Sequence, residues 1–431
     1  MTLTKSSVLN WFAFTIAILW FVKFKFIGEL FVSELILFLV FLFMFKSYGK
    51  RLYSGIPKRI IIFGLLWLLA QIVTDVIRTT PFENMLRGWA AITFFLIDFA
   101  ALYLLLGNNK DRLLFFIYGI AIGGVFRCFV APSEYFSFEP WKFGFGFPVT
   151  LLTLLILTWA IRKRLFVPIV AEVVLFTLAV TSIYLNARSL GGALIITALL
   201  SFVGRHQIFY DLFLKRFNPS RLIAVSMVSL LLVFSVLVAY QWIGEAELLP
   251  DKSQAKYEMT KSSPFGLLGV ILSGRIEILA SIPAVIDSPV IGHGSWAEDQ
   301  KYRQLLIGAS STLGVDRPEG ELQYLIQKSD FIPAHSHLMQ AWVWAGLLGA
   351  IFWVMVLILI LKVLFQTLRN YDVLSLIVVF VCVKAGWDVL FSPFGSEMRI
   401  KWGWELVLII MSFEMLHCSL KSDKEITGVK K

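Results

Sequence analysis

Apolar runs of roughly 15–22 residues recur along the whole chain between short polar connections, close to the ~20 residues a helix needs to cross a ~30 Å hydrocarbon core. Transmembrane strands would read as ~10-residue alternating segments. Continuous runs such as Leu222–Ala239 and Ile351–Leu361 do not alternate. The pattern predicts an all-α, polytopic membrane protein with about 12 spans. They fall near residues 8–26, 29–46, 60–77, 88–107, 113–131, 147–161, 165–185, 190–204, 222–243, 338–361, 373–391 and 402–417. Lys23, Lys25, Glu29 and Glu34 shorten the first two, which form either two full crossings or a re-entrant hairpin. This divides the chain into an N-terminal bundle (1–243), one long polar loop (244–335) and a C-terminal group of helices (336–431).

Composition agrees: 58% of the residues are hydrophobic and 16% charged, which a water-soluble domain does not sustain. The net charge of +10 does not point to nucleic acid, because the basic residues form short clusters between apolar runs and not one face or stripe. They read as topology signals. Lys46, Lys50, Arg51, Lys58, Arg59, Lys110, Arg112, Arg162, Lys163, Arg164 and the lysines of the C-terminal tail lie on one set of alternate connections. Outside the long loop that set outnumbers the other by roughly two to one, so both termini are expected in the cytoplasm and the loop outside it. In a Gram-negative cell this means an inner-membrane protein with a periplasmic loop. The first apolar run, Val8–Val22, has no small-residue cleavage site and is expected to be a span and not a signal peptide. Cys128, Cys382 and Cys418 show neither metal-ligand nor CxxC spacing, and no structural disulfide is expected.

Three segments on the loop side carry candidate chemistry: Asn186-Ala-Arg-Ser-Leu-Gly-Gly192; Ser273-Gly-Arg-Ile-Glu277 running on to Ser288-Pro-Val-Ile-Gly-His-Gly294; and Pro333-Ala-His-Ser-His-Leu-Met-Gln340 with Gly346 and Gly349 beyond. Each sets an Arg or a His where a loop meets a helix. Taken singly, Arg188 reads as an arginine snorkelling to headgroups and Arg275 as a loop charge beside Glu277. His335 and His337 read as structural, and the acidic residues near them lack ligand spacing, so no metal is expected. Residues Ile276–Ile286 have the spacing of an amphipathic helix lying along the membrane surface. Asp75, Asp98, Arg127, Glu172, Lys384 and Asp388 fall inside spans, where charges are costly unless paired. Lys384 and Asp388 have the i,i+4 spacing of such a pair.

Together the three segments resemble the bacterial O-antigen ligase/polymerase family. His335-Ser336, nine residues, Gly346, two residues and Gly349 fit that family's pattern of His, Asn/Ser/Gln, nine of anything, Gly, two of anything, Gly/Thr/Val. Arg188 with its glycines is similar to the family's short Ser-Arg-Gly turn, though it reads Ala-Arg-Ser. Ser273-Gly-Arg275 through Pro289-Val-Ile-Gly292 is similar to its Arg-plus-Pro-x-x-Gly loop. The likeness covers roughly residues 180–350. His337 departs from the pattern by offering a second imidazole.

The resemblance implies a GT-C-like membrane glycosyltransferase that moves a glycan from undecaprenyl diphosphate to an acceptor hydroxyl at the periplasmic face. The acceptor is lipid A–core for a ligase and another lipid-linked repeat unit for a polymerase. It implies Arg188 and Arg275 as clamps on the diphosphate and His335, or else His337, as the general base, with inversion at the anomeric carbon and no cofactor. Planar guanidinium forks suit a leaving group that gains charge, and a neutral imidazole suits a weakly acidic hydroxyl. Arg78, Arg87 and Arg399, with Glu83, Glu397 and Lys401, are secondary candidates for the acceptor site or ordinary loop charges. Of the two activities the ligase fits the histidine pattern better. A transporter of lipid-linked sugars is the alternative from another class, but it would show repeats and interrupted mid-membrane helices around a central site.

Overall fold

The computed structural model describes residues 5–25, 27–107, 109–206, 238–239, 241–261, 276–312 and 331–426. The protein is a bundle of apolar helices. Among the described residues seven helices are long and apolar enough to cross a membrane, and shorter apolar helices accompany them. In chain order the bundle contains α1 (Lys5–Ile18), α2 (Val32–Tyr48), α3 (Gly55–Ile77), α4 (Phe82–Leu106), α5 (Lys110–Val130), α6 (Gly146–Arg162), α7 (Ile169–Tyr184) and α8 (Arg188–Arg205). The loop region contributes α9 (Asp251–Lys261), α10 (Ile278–Asp287) and α11 (Gln300–Thr312). The chain closes with α12 (His337–Ala345), α13 (Leu347–Arg369), α14 (Ser375–Phe391) and α15 (Met398–Ile426).

A helix lies on every predicted span except the ninth, most of which (222–237) is outside the described residues. Two departures have local causes. The first span ends early, and β1 (Lys23–Lys25) pairs antiparallel with β2 (Glu29–Phe31), Lys25 facing Glu29. Lys23 pairs with Glu29 at 2.5 Å. The Glu29 carboxylate also accepts from Ser396, and its backbone carbonyl from Arg399, so the strand pair is tied to the start of α15. Glu34 caps the first turn of α2 by accepting the Phe31 N–H at 2.8 Å.

The second departure is the predicted span 338–361, which is broken into α12 and α13 at Gly346. Gly346 has φ 67° and ψ −155°, a backbone conformation reached essentially only by glycine. The break leaves α12 as a nine-residue half-helix. Gly349 then allows the two halves to fold closely together, since a Cβ there would lie 2.4 Å from Ala341 O.

Behind the break lies the aromatic centre of the core: Trp67 of α3, Phe95 of α4, Phe352 and Trp353 of α13, Phe394 and Trp402. Their rings meet at 4.9–6.5 Å, with Trp67 stacked on Phe352 at 5.2 Å. Such contacts add to the burial of large apolar surfaces, and they join α3, α4, α13 and α15. The outer surface is apolar, with Phe43, Leu69, Val76, Ile156 and Phe176 all exposed, as expected of helices facing lipid.

Charges inside the bundle are largely paired. Lys384 and Asp388 meet at 2.5 Å, as their spacing predicts, and Lys401 and Ser392 also donate to Asp388. Arg205 pairs with Glu172 and Arg127 with Glu397. Asp98 is different: it is fully buried in α4, and neither carboxylate oxygen has a hydrogen-bond partner among the described residues. Cys128 and Cys382 are free and buried.

Candidate functional site

The histidine segment is organised by its helix start. Ser336 is the N-cap of α12 and its Oγ accepts the Met339 N–H at 3.2 Å, while donating to Val389 O at 2.9 Å. A short polar residue is therefore needed directly after His335: it begins α12 and fastens that start to α14. His335 projects outward from this junction. It is exposed and lines a small pocket with Glu277, Ile278, Ser281, Ser336, Leu390 and Phe391.

His337 lies one residue into the helix and in a different environment. It is fully buried, its Nδ1 lies 2.5 Å from Ser392 O, and its ring sits among Trp353, Phe394 and Trp402 at centroid distances of 4.8, 5.3 and 5.6 Å. Nδ1 must carry the proton in this contact, which leaves Nε2 as a bare acceptor, without a partner among the described residues. Of the two imidazoles, only that of His335 lines the pocket.

The Pro289–Gly292 loop and the Gly346 break meet backbone to backbone. His293 N–H donates to Val343 O at 2.7 Å, Gly294 N–H to Trp344 O at 3.1 Å and Leu347 N–H to Val290 O at 3.2 Å. Trp342 Nε1 adds a bond to Pro289 O at 2.8 Å. The approach is close because neither side has a Cβ: one on Gly292, whose φ is +87°, would lie 2.6 Å from Gly346 N. Two segments far apart in sequence thus form one joint. Helix α3 holds the joint from behind. Thr74 donates to Ile291 O, while Arg78 donates from Nε to Gly292 O at 2.9 Å and from Nη2 to Ser288 Oγ at 2.7 Å. Asp75 is fully buried and accepts from the Ser295 N–H (2.6 Å), Ser295 Oγ (2.8 Å), Trp89 Nε1 (2.8 Å) and Gln71 Nε2 (3.3 Å). A buried carboxylate with this many donors is satisfied without a counter-ion.

Beyond the joint, α10 and α11 are clipped together. Lys301 and Tyr302 both donate to the Asp287 carboxylate, and these bonds hold it below the usual carboxylate range. Burial and the same carboxylate push the Tyr302 phenol up. Helix α10 falls where the apolar spacing predicts it, burying Ala280, Ala284 and Val285 and exposing Leu279, Ile282 and Ile286.

Arg188 opens α8 and is half-buried. The preceding Asn186 has φ 63°, and its side-chain amide donates to Glu139. Gly191 lets α8 approach Ala179 and Ile183 of α7, whereas a Cβ on Gly192 would meet nothing within 4 Å. The far end of α8 packs against Leu368 and Tyr371, beside the α13–α14 turn. Arg188 therefore lies toward the opposite end of the bundle, the end where Leu390 and Phe391 border the His335 pocket. Arg275 lies outside the described residues.

The secondary candidates have structural partners. Arg78 is a clamp on the joint. Arg87 donates to Ile27 O at 2.6 Å and pairs with Glu83 at 2.6 Å. Arg399 makes a buried two-nitrogen contact with Glu34 at 2.5 and 2.9 Å. Among the described residues no three His, Cys, Asp or Glu side chains come together as metal ligands.

This architecture defines a multi-pass helical membrane protein whose motif-bearing loop is built into a broken helix. Residues 173–354 match the family model described as O-Antigen ligase, so this segment, somewhat under half of the chain, is similar to that family. The matched stretch runs from α7 through the Gly346 break into α13 and includes Arg188, the 288–295 joint and both histidines. No curated protein and no solved structure matches the chain.

Proposed function

We propose that the protein is an O-antigen ligase of the bacterial inner membrane, transferring a glycan from undecaprenyl diphosphate to lipid A–core at the periplasmic face. The observation that carries this reading is His335, which follows the family's histidine pattern and is held at the mouth of a pocket by the capped start of α12. In the proposed step an acceptor hydroxyl attacks the anomeric carbon and its proton passes to the His335 imidazole. The bond from that carbon to the diphosphate oxygen breaks, and the electron pair leaves with the diphosphate. Arg188 and Arg275 bind the leaving group. Direct displacement inverts the anomeric centre. The buried ring of His337 supports α12 from within the core and takes no part in the transfer.

The test is the lipopolysaccharide profile of cells whose chromosomal copy carries His335→Ala, with membrane levels of the protein measured alongside. Removal of a general base typically costs about 10²- to 10⁴-fold in rate, so long-chain glycan on the core should disappear while the protein remains in the membrane. A core capped by a single repeat unit would identify a polymerase instead. An unchanged profile would exclude His335 as the base.

A further inference from the structure

The pocket beside His335 contains a second ionisable group that the family pattern does not use. Glu277 is the residue from which α10 begins, and it lines the pocket opposite the α12–α14 junction. Its Oε2 is shut off from bulk water and has no hydrogen-bond partner among the described residues. A carboxylate oxygen in that state is costly, and a donor brought by a ligand would relieve the cost. Ser281, one turn further along α10, and the Phe391 ring complete a lining that mixes hydroxyl, carboxylate, imidazole and aromatic surface. That mixture suits a sugar, which offers O–H donors at its edge and C–H groups on its face. The enclosed space is small, so a hydroxyl at the sugar's edge would enter it while the ring lies across the mouth.

We propose that Glu277 is an acceptor-binding residue: its carboxylate accepts a hydrogen bond from a hydroxyl of the acceptor's terminal sugar and holds that sugar in front of His335. The assignment rests on the transferase reading above and adds which side chain selects the acceptor. It makes Glu277 act on acceptor affinity, with donor binding and proton removal left to other groups.

The experiment uses the purified full-length protein in detergent, as wild type, Glu277→Gln, Glu277→Ala and His335→Ala, each checked for a monodisperse elution profile. Equilibrium binding of purified lipid A–core, and separately of undecaprenyl-diphosphate-linked glycan, is measured together with turnover. Glu277→Ala should weaken binding of one of these, the acceptor, by about tenfold or more, and Glu277→Gln should restore most of it, as expected when a single hydrogen bond to a buried charged group is lost. Donor KM should stay within about twofold, because the predicted diphosphate clamps are untouched. Equal acceptor affinity in wild type and Glu277→Ala, a loss of kcat at unchanged acceptor affinity, or no binding of either lipid by the wild type would each overturn the proposal. Full turnover by His335→Ala would instead overturn the transferase mechanism, and the binding data for Glu277 would be read independently of it.

Discussion

Gly346→Ala is the sharpest perturbation of the joint. An alanine there adopts a φ/ψ region reserved for glycine, at about 1–3 kcal/mol. Its Cβ would lie 2.0 Å from Val290 O and 2.5 Å from Val290 C, an overlap of the kind that costs a further ~1–3 kcal/mol. Opposing this are the four hydrogen bonds that dock the loop on the break, from His293, Gly294, Leu347 and Trp342, worth about 0.5–1.5 kcal/mol each. The two sums are of similar size, about 2–6 kcal/mol, so the loop should lift off the break before the bundle unfolds. Hydrogen–deuterium exchange of the purified variant should show faster exchange over residues 288–297 and unchanged protection in α3 and α4, with glycan transfer lost. Gly192→Ala is the control, because its Cβ meets nothing within 4 Å and it lies inside α8. It should be neutral or stabilising by up to ~1 kcal/mol. If Gly346→Ala matches wild type in exchange over 288–297, the joint does not depend on that glycine and the reasoning fails.

Other consequences can be checked with the same preparations. Arg78→Ala removes both clamps on Ser288 and Gly292 and should speed exchange over 288–294; Arg78→Lys should restore only part of it, because a single ammonium lacks the fork. Glu34→Gln strands the buried Arg399 guanidinium and should cost about 3–5 kcal/mol, read as a lower unfolding temperature, with Glu34→Gln/Arg399→Met recovering most of the loss. The Asp287 clip has a defined pH sense. The carboxyl is held below its ordinary value of 3.8, so its contribution is complete above that value and is lost as pH falls through the lower folded one. Exchange over α11 should therefore accelerate on acidification below the ordinary carboxylate range, and Asp287→Asn should abolish this step while leaving α11 loosely held at neutral pH.

Much of the bundle was legible from sequence because lipid leaves the backbone few options: an apolar run of the right length becomes a helix, and Lys384 with Asp388 inside one of them becomes a pair. The ends were harder to read. Residues 23–31 look like a shortened span until the Lys23–Glu29 pair and the bonds from Ser396 and Arg399 show a strand pair, and those partners are hundreds of positions away. The break at Gly346 was hidden for a similar reason. The apolar pattern runs straight through it, and only the approach of Val290 explains why the helix stops. Asp75 could be flagged as a charge needing partners, but not that these would come from Ser295, Trp89 and Gln71. The family spacing put His335 ahead of His337 but could not show how their surroundings differ. The N-cap at Ser336 separates them, one on the pocket side and one in the aromatic core. Glu277 gave no signal beyond its nearness to Arg275.

The seating of residues 288–295 on the broken helix also decides what can be exchanged between related proteins. A chimera that imports a foreign loop alone would leave the Val343 and Trp344 carbonyls and the Asp75 carboxylate facing a backbone that does not fit them. The unit that can be transplanted is discontinuous: the loop, the end of α3 with its C-cap from Gln71 to Arg78, and the turn around Gly346. Loop swaps that respect this unit should yield inserted protein, and swaps cut at the ends of the loop should not.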